Sequence, residues 1–240
     1  YCTQFKNLQT NSFEYLRPHT TANSVLIAET LEQFARYPDE WKEMLRWFRT
    51  LPLFMEFGSA QHGNAFRVVH ACWDHAVIAQ HKDVFGDGHF DEDFLHQSAH
   101  IHTQAADTIQ LLTRGVVFPL PDGLKVVTQE GHVRSTFRTK FWAQHAQTYG
   151  DLLFQPDPIP AEIAALPISQ DHRAQMVRYG LDQPPLFVGH YWLKGQPQPI
   201  THNIACLDYS AVKYGRLVAY RMDGEQQLDP NKFVWEYVDP

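Results

Sequence analysis

A mixed fold of helices and sheets, between the α+β and α/β classes, is what this sequence predicts, and three observations predict it. Apolar runs with strand character alternate with helical spacing as far as Trp142, and from Leu186 onward the chain reads as β-rich. Two of the apolar runs, Phe66 to Val69 and Leu186 to Val188, lead to a histidine, His70 directly and His190 after Gly189. Alternating strands and helices followed by a β-rich stretch imply mixed sheets rather than one parallel sheet. Strands that each end in a histidine can aim both imidazoles into one crevice beyond their carboxyl ends, where open α/β sheets place ligands. With 240 residues the chain is long enough for a full core. A single domain over 1–240 is expected, with 1–52 as a loop and helical insert, 53–142 and 185–238 as the sheet-forming core, and 143–184 as an irregular excursion.

Taken in order, residues 1–21 lack periodicity and are rich in Asn, Thr and Gln, so a loop is expected. Asn23-Ser24 is placed to cap a helix with Val25, Leu26, Leu31 and Phe34 on its apolar side, closed by Pro38. Asp39 is expected to cap a second helix reaching about Arg49. Its Trp41, Met44, Leu45 and Phe48 recur at helical spacing and are expected in the core. Leu53 to Phe57 and Phe66 to His70 form a predicted antiparallel pair around Gly58 to Asn64. Asp74 to about His81 reads as a helix, Gly86 to Asp91 as a loop, and Asp91 or Glu92 to Thr113 as helical. Gly115 to Leu120, Leu124 to Thr128 and His132 to Trp142 read as strands, joined by turns at Pro121-Asp122-Gly123 and Glu130-Gly131. Ala143 to Pro185 is proline-rich, with one short helix expected near Ala161 to Ala165, and reads as a surface excursion over the site. Leu186 to Val188, Asn203 to Leu207, Arg216 to Arg221 and Phe233 to Val238 complete the predicted strands.

Composition narrows the function. A net charge of -7 argues against a nucleic-acid polymer as partner, because phosphate-backbone affinity comes from clustered Lys and Arg. A phosphorylated small molecule or phosphoprotein stays open, since bound cations supply a positive field locally. Cys2, Cys72 and Cys206 form no C-x-x-C and no disulfide framework, which fits a reducing, cytoplasmic setting. Cys72 and Cys206 sit in apolar runs, where a free thiol behaves as a small core residue. No apolar run is long enough for a transmembrane helix, so no membrane association is expected.

Of the 14 histidines, position singles out His70 and His190. Imidazole is a common metal ligand, and Gly189 lets the backbone approach closely. Asp87-Gly88-His89 has the Asp-x-His form, yet no apolar strand precedes it to aim it. His100-x-His102 falls in a predicted helix, where residues two apart diverge. There is no G-x-S-x-G elbow, no Walker A loop and no G-x-G-x-x-G after a strand, which leaves metal-activated water as the most economical chemistry.

The order W-F-R-T-L-P-L (Trp47 to Leu53), hairpin, R-V-V-H-A-C-W-D (Arg67 to Asp74), F-V-G-H-Y-W (Phe187 to Trp192) and A-C-L-D-Y-S (Ala205 to Ser210) resembles bacterial calcineurin-like metallophosphoesterases. The nearest in style are the protein-phosphatase-like enzymes that include diadenosine tetraphosphatases. Gly215 to Arg221 is similar to that family's terminal strand, and the likeness covers most of residues 39–223. The resemblance implies a partial four-layer α/β/β/α sandwich with two divalent cations, Mn, Fe or Zn, at the strand ends. There a metal-bridging hydroxide hydrolyses a phosphomonoester, phosphoprotein or nucleoside polyphosphate.

In that family the ligands come from D-x-H, G-D-x-x-D-R-G, G-N-H-E, a lone His after a strand, and G-H. His70 matches the fourth block and His190 the fifth, which serve the same metal. The first three blocks are missing here, and Tyr1 to His19 is similar to what directly follows G-N-H-E. The resemblance therefore implies that the catalytic residues lie before Tyr1. The chain is then the carboxyl-terminal two-thirds of the enzyme, with an incomplete metal site, inactive alone, and with an apolar sheet edge exposed.

Weaker matches are Tyr214, in a run loosely similar to S-A-P-N-Y-C or else a hairpin-turn tyrosine, and Arg114, similar to a phosphate-binding R-G pair or else a helix-ending Arg before Gly. Asp208 is placed to support a ligating histidine or to cap a strand end. Trp73 and Trp192 stand beside the two ligands, to shield the site, to stack on a base or simply to pack. Two alternatives remain open: a non-catalytic binding or scaffold protein that keeps the sandwich, and a mononuclear site completed by Asp74 or Asp208.

Overall fold

The fold is taken from a computed structural model, which describes residues 2–7, 11–127, 133–154 and 159–239. Contacts divide the chain into two compact units, Tyr1–Pro52 with His89–Thr108, and Leu53–Gly88 with Ile109–Pro240. The class is mixed α+β, with several small sheets.

The chain opens with β1 (Gln4–Asn7) and β2 (Ser12–Tyr15), an antiparallel hairpin pairing Gln4 with Tyr15 and Asn7 with Ser12 where a loop was expected. Its strands bury little, and Phe13 is 70% exposed, so hydrophobic periodicity carries no trace of it. The helix α1 (Thr21–Phe34) is capped by the Thr20 hydroxyl, which accepts from the Asn23 amide at 3.3 Å, not by Asn23 or Ser24. Asn23 instead donates to the Pro18 carbonyl at 2.8 Å. In α2 (Pro38–Arg49) proline occupies the first turn, where its missing N–H costs nothing. Asp39 is thereby inside the helix rather than its cap, paired with Lys42 at 3.0 Å. The expectation that Trp41, Met44, Leu45 and Phe48 form core is not met, since no residue of α2 is buried.

The second unit begins with β3 (Phe54–Phe57) and β4 (Phe66–Val69), antiparallel as expected, followed by α3 (His75–Phe85). The expected single helical stretch after Gly86 is two helices, α4 (Glu92–Gln97) and α5 (Gln104–Arg114). His102 adopts φ +67 between them, and the Thr103 hydroxyl accepts from the Ala106 amide at 3.1 Å. α4 ends at Ser98 in the ordinary right-handed conformation, and the left-handed His102 comes just before the side-chain cap that starts α5. His100-x-His102 therefore lies in the break, not in a helix.

Next come β5 (Val117–Pro119), β6 (Val126–Val127), β7 (Val133–Arg134) and β8 (Thr136–Thr139), so the single strand expected from His132 to Trp142 is two short ones. The predicted Glu130-Gly131 turn lies outside the described residues. The stretch expected to be irregular holds α6 (Tyr149–Leu152), β9 (Leu153–Phe154), α7 (Ala161–Ala164) and α8 (Gln170–Ala174). It also builds a core of its own, in which Tyr149, Leu152, Leu153, Ile163 and Ile168 pack with Phe118 and Phe137. Proline and short elements hid this core, because no element there is long enough to show a period.

The remaining strands are β10 (Leu186–Val188), β11 (Ile204–Cys206), β12 (Asp208–Tyr209), β13 (Arg216–Tyr220) and β14 (Phe233–Tyr237). The sheet that positions the site runs β11-β10-β4-β3, with β10 parallel to both β4 and β11. Every residue of β10 and β11 is buried, as expected for parallel strands covered on both faces. At the edges, β11 is covered, while β3 leaves Met55 and Phe57 38% and 42% exposed. Among the described residues no helix is long and apolar enough to cross a membrane.

Candidate functional site

Register brings the two histidines together. Leu186 pairs with Arg67 and Phe187 with Val68, so the parallel strands β4 and β10 end at one level. The Gly189 amide then donates to the His70 carbonyl at 2.9 Å, carrying the pairing one step past the strands. Beyond it the chain turns at His190, whose φ is +64. The left-handed conformation that a glycine would usually supply is thus taken by the histidine itself. A Cβ on Gly189 would meet the His70 carbonyl at 3.6 Å, an ordinary contact, so space there does not demand glycine.

The two imidazoles face each other with ring centroids 5.4 Å apart and planes inclined at 56°. Burial is the main cause that holds His190 down at about 4, followed by the positive charge of Arg138, the neighbouring His70 and Arg114. A hydrogen bond to the Arg114 backbone opposes these and favours the protonated ring. His190 Nε2 is buried and without a hydrogen-bond partner. His70 is solvent-accessible, yet the protein packed around it lowers its pKa, while the charge of Asp208 raises it. Both rings are neutral at pH 7.

Arg138, on β8, was not singled out by the sequence reading. Its Nη1 donates to the His190 carbonyl at 3.2 Å and so fastens the left-handed turn. Burial lowers its pKa, Tyr191 and Asp208 raise it, and the nearby charges of Arg134 and Arg114 lower it. Its one available signal is an Arg in the strand Thr136–Thr139, whose alternate residues Phe137 and Thr139 are buried.

The other candidates divide. Arg114 is the last residue of α5, followed by Gly115 at φ +75, the ordinary end of a helix. Its charge nonetheless reaches His190. Asp208, at the start of β12, accepts from the Ser210 amide at 3.0 Å and acts on His70 through its charge. Asp74 accepts from the amides of Ala76 and Val77 at 2.9 and 3.0 Å, so it serves as the cap of α3. Trp73 is 1% exposed, packs edge-on to Phe54 at 5.7 Å and carries the Arg67 guanidinium 4.9 Å from its ring centre, which makes it core. Trp192 lies under the Lys213 ammonium at 4.5 Å. Tyr214 is 65% exposed at φ +56 beside a short 3₁₀ turn, the turn tyrosine of the plainer reading.

Behind the pair, Tyr191 is fully buried against Phe141, Trp142 and Phe154. Cys72 and Cys206 are also fully buried, and burial pushes the Cys206 thiol up to about 12. These are packing thiols rather than nucleophiles.

The test of a shared cation rests on the spacing of the two rings, 5.4 Å between centroids. Two imidazoles bonded to one ion at about 2.0–2.1 Å put their centroids roughly 5 Å apart, close to what is observed, and a buried unpartnered nitrogen suits a ligand. Among the described residues no group of three or more His, Cys, Asp or Glu side chains is placed to hold a metal ion. Compared with known proteins, the chain matches no family model, no curated protein and no solved structure.

Proposed function

We propose that the chain carries part of the metal site of a calcineurin-like phosphoesterase, with His70 and His190 as ligands of one divalent cation, Mn, Fe or Zn. In this reading the small sheets belong to a four-layer α/β/β/α sandwich. The remaining ligands come from D-x-H, G-D-x-x-D-R-G and G-N-H-E blocks; these 240 residues lack the last two, and their D-x-H, Asp87-Gly88-His89, follows no apolar strand that would aim it. The observation that carries the reading is the meeting of two neutral imidazoles from separate strands, one with a buried, unpartnered Nε2.

When bound, the cations supply Lewis-acid activation of water and charge neutralisation at phosphorus. The residues of this chain do the rest. His70 and His190 present lone pairs held free of protons, and Arg138 fixes the turn that aims His190. Arg114 and Arg138 add positive potential that favours an anionic substrate, a phosphomonoester, phosphoprotein or nucleoside polyphosphate.

The test lies in the open reading frame around this sequence. In-frame ligand blocks ahead of Tyr1 support the reading, as does manganese-dependent hydrolysis of an aryl phosphate by the product. That hydrolysis should fall on the order of a hundredfold or more in His70→Ala and in His190→Ala. Full activity in either variant overturns it. A second reading, a sandwich that binds partners without catalysis, is favoured by the two-histidine donor set among the described residues. An initiator codon immediately before the Tyr1 codon would support that second reading.

A further inference from the structure

α2 is built like a core helix, yet none of its residues is buried. Its apolar residues recur at helical spacing, yet Met44, Trp47 and Phe48 are 39%, 50% and 54% exposed, and Tyr37 just before it is 53% exposed. Where α1 meets α2 the surface is hollowed into a groove of about 550 Å³ lined by Phe34, Glu40, Glu43, Met44 and Trp47. An amphipathic helix of a folded protein normally buries such a stripe, and contiguous exposed apolar surface marks an interaction site.

Charge decides what covers it. Both charged residues lining the groove are acidic, and among the described residues neither Glu40 nor Glu43 has an ion-pair partner. The cations of α2, Lys42, Arg46 and Arg49, are outside the lining, with Lys42 paired to Asp39 and Arg49 to Glu92, both at 3.0 Å. A second copy related by a two-fold axis would set Glu40 and Glu43 against themselves. An anionic lipid surface would meet the same repulsion. We infer that this groove docks a basic amphipathic helix of a partner protein, its leucine-type side chains on Met44, Trp47 and Phe34 and its lysines or arginines against Glu40 and Glu43. This inference stands apart from the metal site and does not depend on it.

The experiment is fluorescence anisotropy of a labelled synthetic helix of about four turns with a leucine stripe flanked by lysines. The comparison peptide keeps the leucines and carries glutamates in place of the lysines. The expected result is binding of the lysine peptide about tenfold or more tighter than of the glutamate peptide. Glu40→Lys with Glu43→Lys should invert that preference, and Trp47→Ala should abolish binding, with circular dichroism unchanged in each variant. Equal binding of both peptides, or lysine-peptide affinity indifferent to these substitutions, would overturn the inference. So would a concentration-dependent dimer, seen by sedimentation, that Trp47→Ala dissolves.

Discussion

β10 presents Leu186, Phe187 and Val188 to two apolar faces and all three are buried, whereas α2 presents Trp41, Met44, Leu45 and Phe48 along one side and none is. The patterns are equally regular. In β10 the neighbours on both sides, β4 and β11, lie in the same sheet, and the cores that cover it come from the same unit. In α2 the stripe meets α1 at Trp41, whose ring centroid lies 5.1 Å from that of Phe34, while Met44, Trp47 and Phe48 stay exposed. Apolar periodicity states which face seeks cover but does not state what provides it. The same division separates function: the buried strands aim two histidines, and the open helix offers a surface.

Substitutions sharpen that contrast, and the largest effect belongs to β10. Leu186 is fully buried, so Leu186→Ala should cost about 2–5 kcal/mol by loss of burial and the cavity left behind. Phe48→Ala, a larger truncation on the exposed helix, should cost under about 1 kcal/mol. Urea unfolding of the two variants checks both, and equal losses would mean that α2 is covered after all.

Acid should act on the histidine region before the helix. The unfolded His190 titrates near 6.5 and the folded one near 4, so the unfolded chain binds more protons between these values. Stability attributable to His190 is complete above about pH 6.5 and is lost as pH falls toward 4, by at most roughly 3 kcal/mol. His190→Asn, whose side chain tolerates the left-handed backbone, should flatten part of that slope. It should flatten only part, because His70, His75 and His172 are shifted in the same direction. An unchanged slope in urea midpoints from pH 7 to 4 would contradict the burial of His190.

A smaller effect is expected at the start of α3. Asp74→Ala removes the cap that holds the Ala76 and Val77 amides and should cost about 1 kcal/mol, whereas Asp74→Asn should retain most of it. Tyr214→Phe should change the urea midpoint least, because that side chain is 65% exposed on a turn.

The legible parts of the sequence are those whose local pattern and tertiary role coincide. Leu186 to Val188 and Phe66 to Val69 are short and mostly apolar, each leads to a histidine, and both strands stand where expected. Their convergence was legible for the same reason, since parallel strands in adjacent register must end together. Features set by single backbone angles were not legible. Neither the break at His102 nor the left-handed turn at His190 follows from residue type, because both residues commonly sit in ordinary regions. Arg138 escaped because its role depends on a carbonyl 52 residues away in sequence. The core around Tyr149 and Ile163 escaped because its elements are four residues long, and the β1–β2 hairpin because its four-residue strands bury little.

The central claim is that His70 and His190 share one cation, and the most direct measurement is a zinc titration of this chain followed by the NMR signals of both imidazole rings. The account predicts that the two rings respond together at a single ion per chain, and that His70→Ala or His190→Asn removes the response of the ring that remains. Rings that respond at different zinc concentrations, or one that responds unchanged after its neighbour is removed, would contradict it.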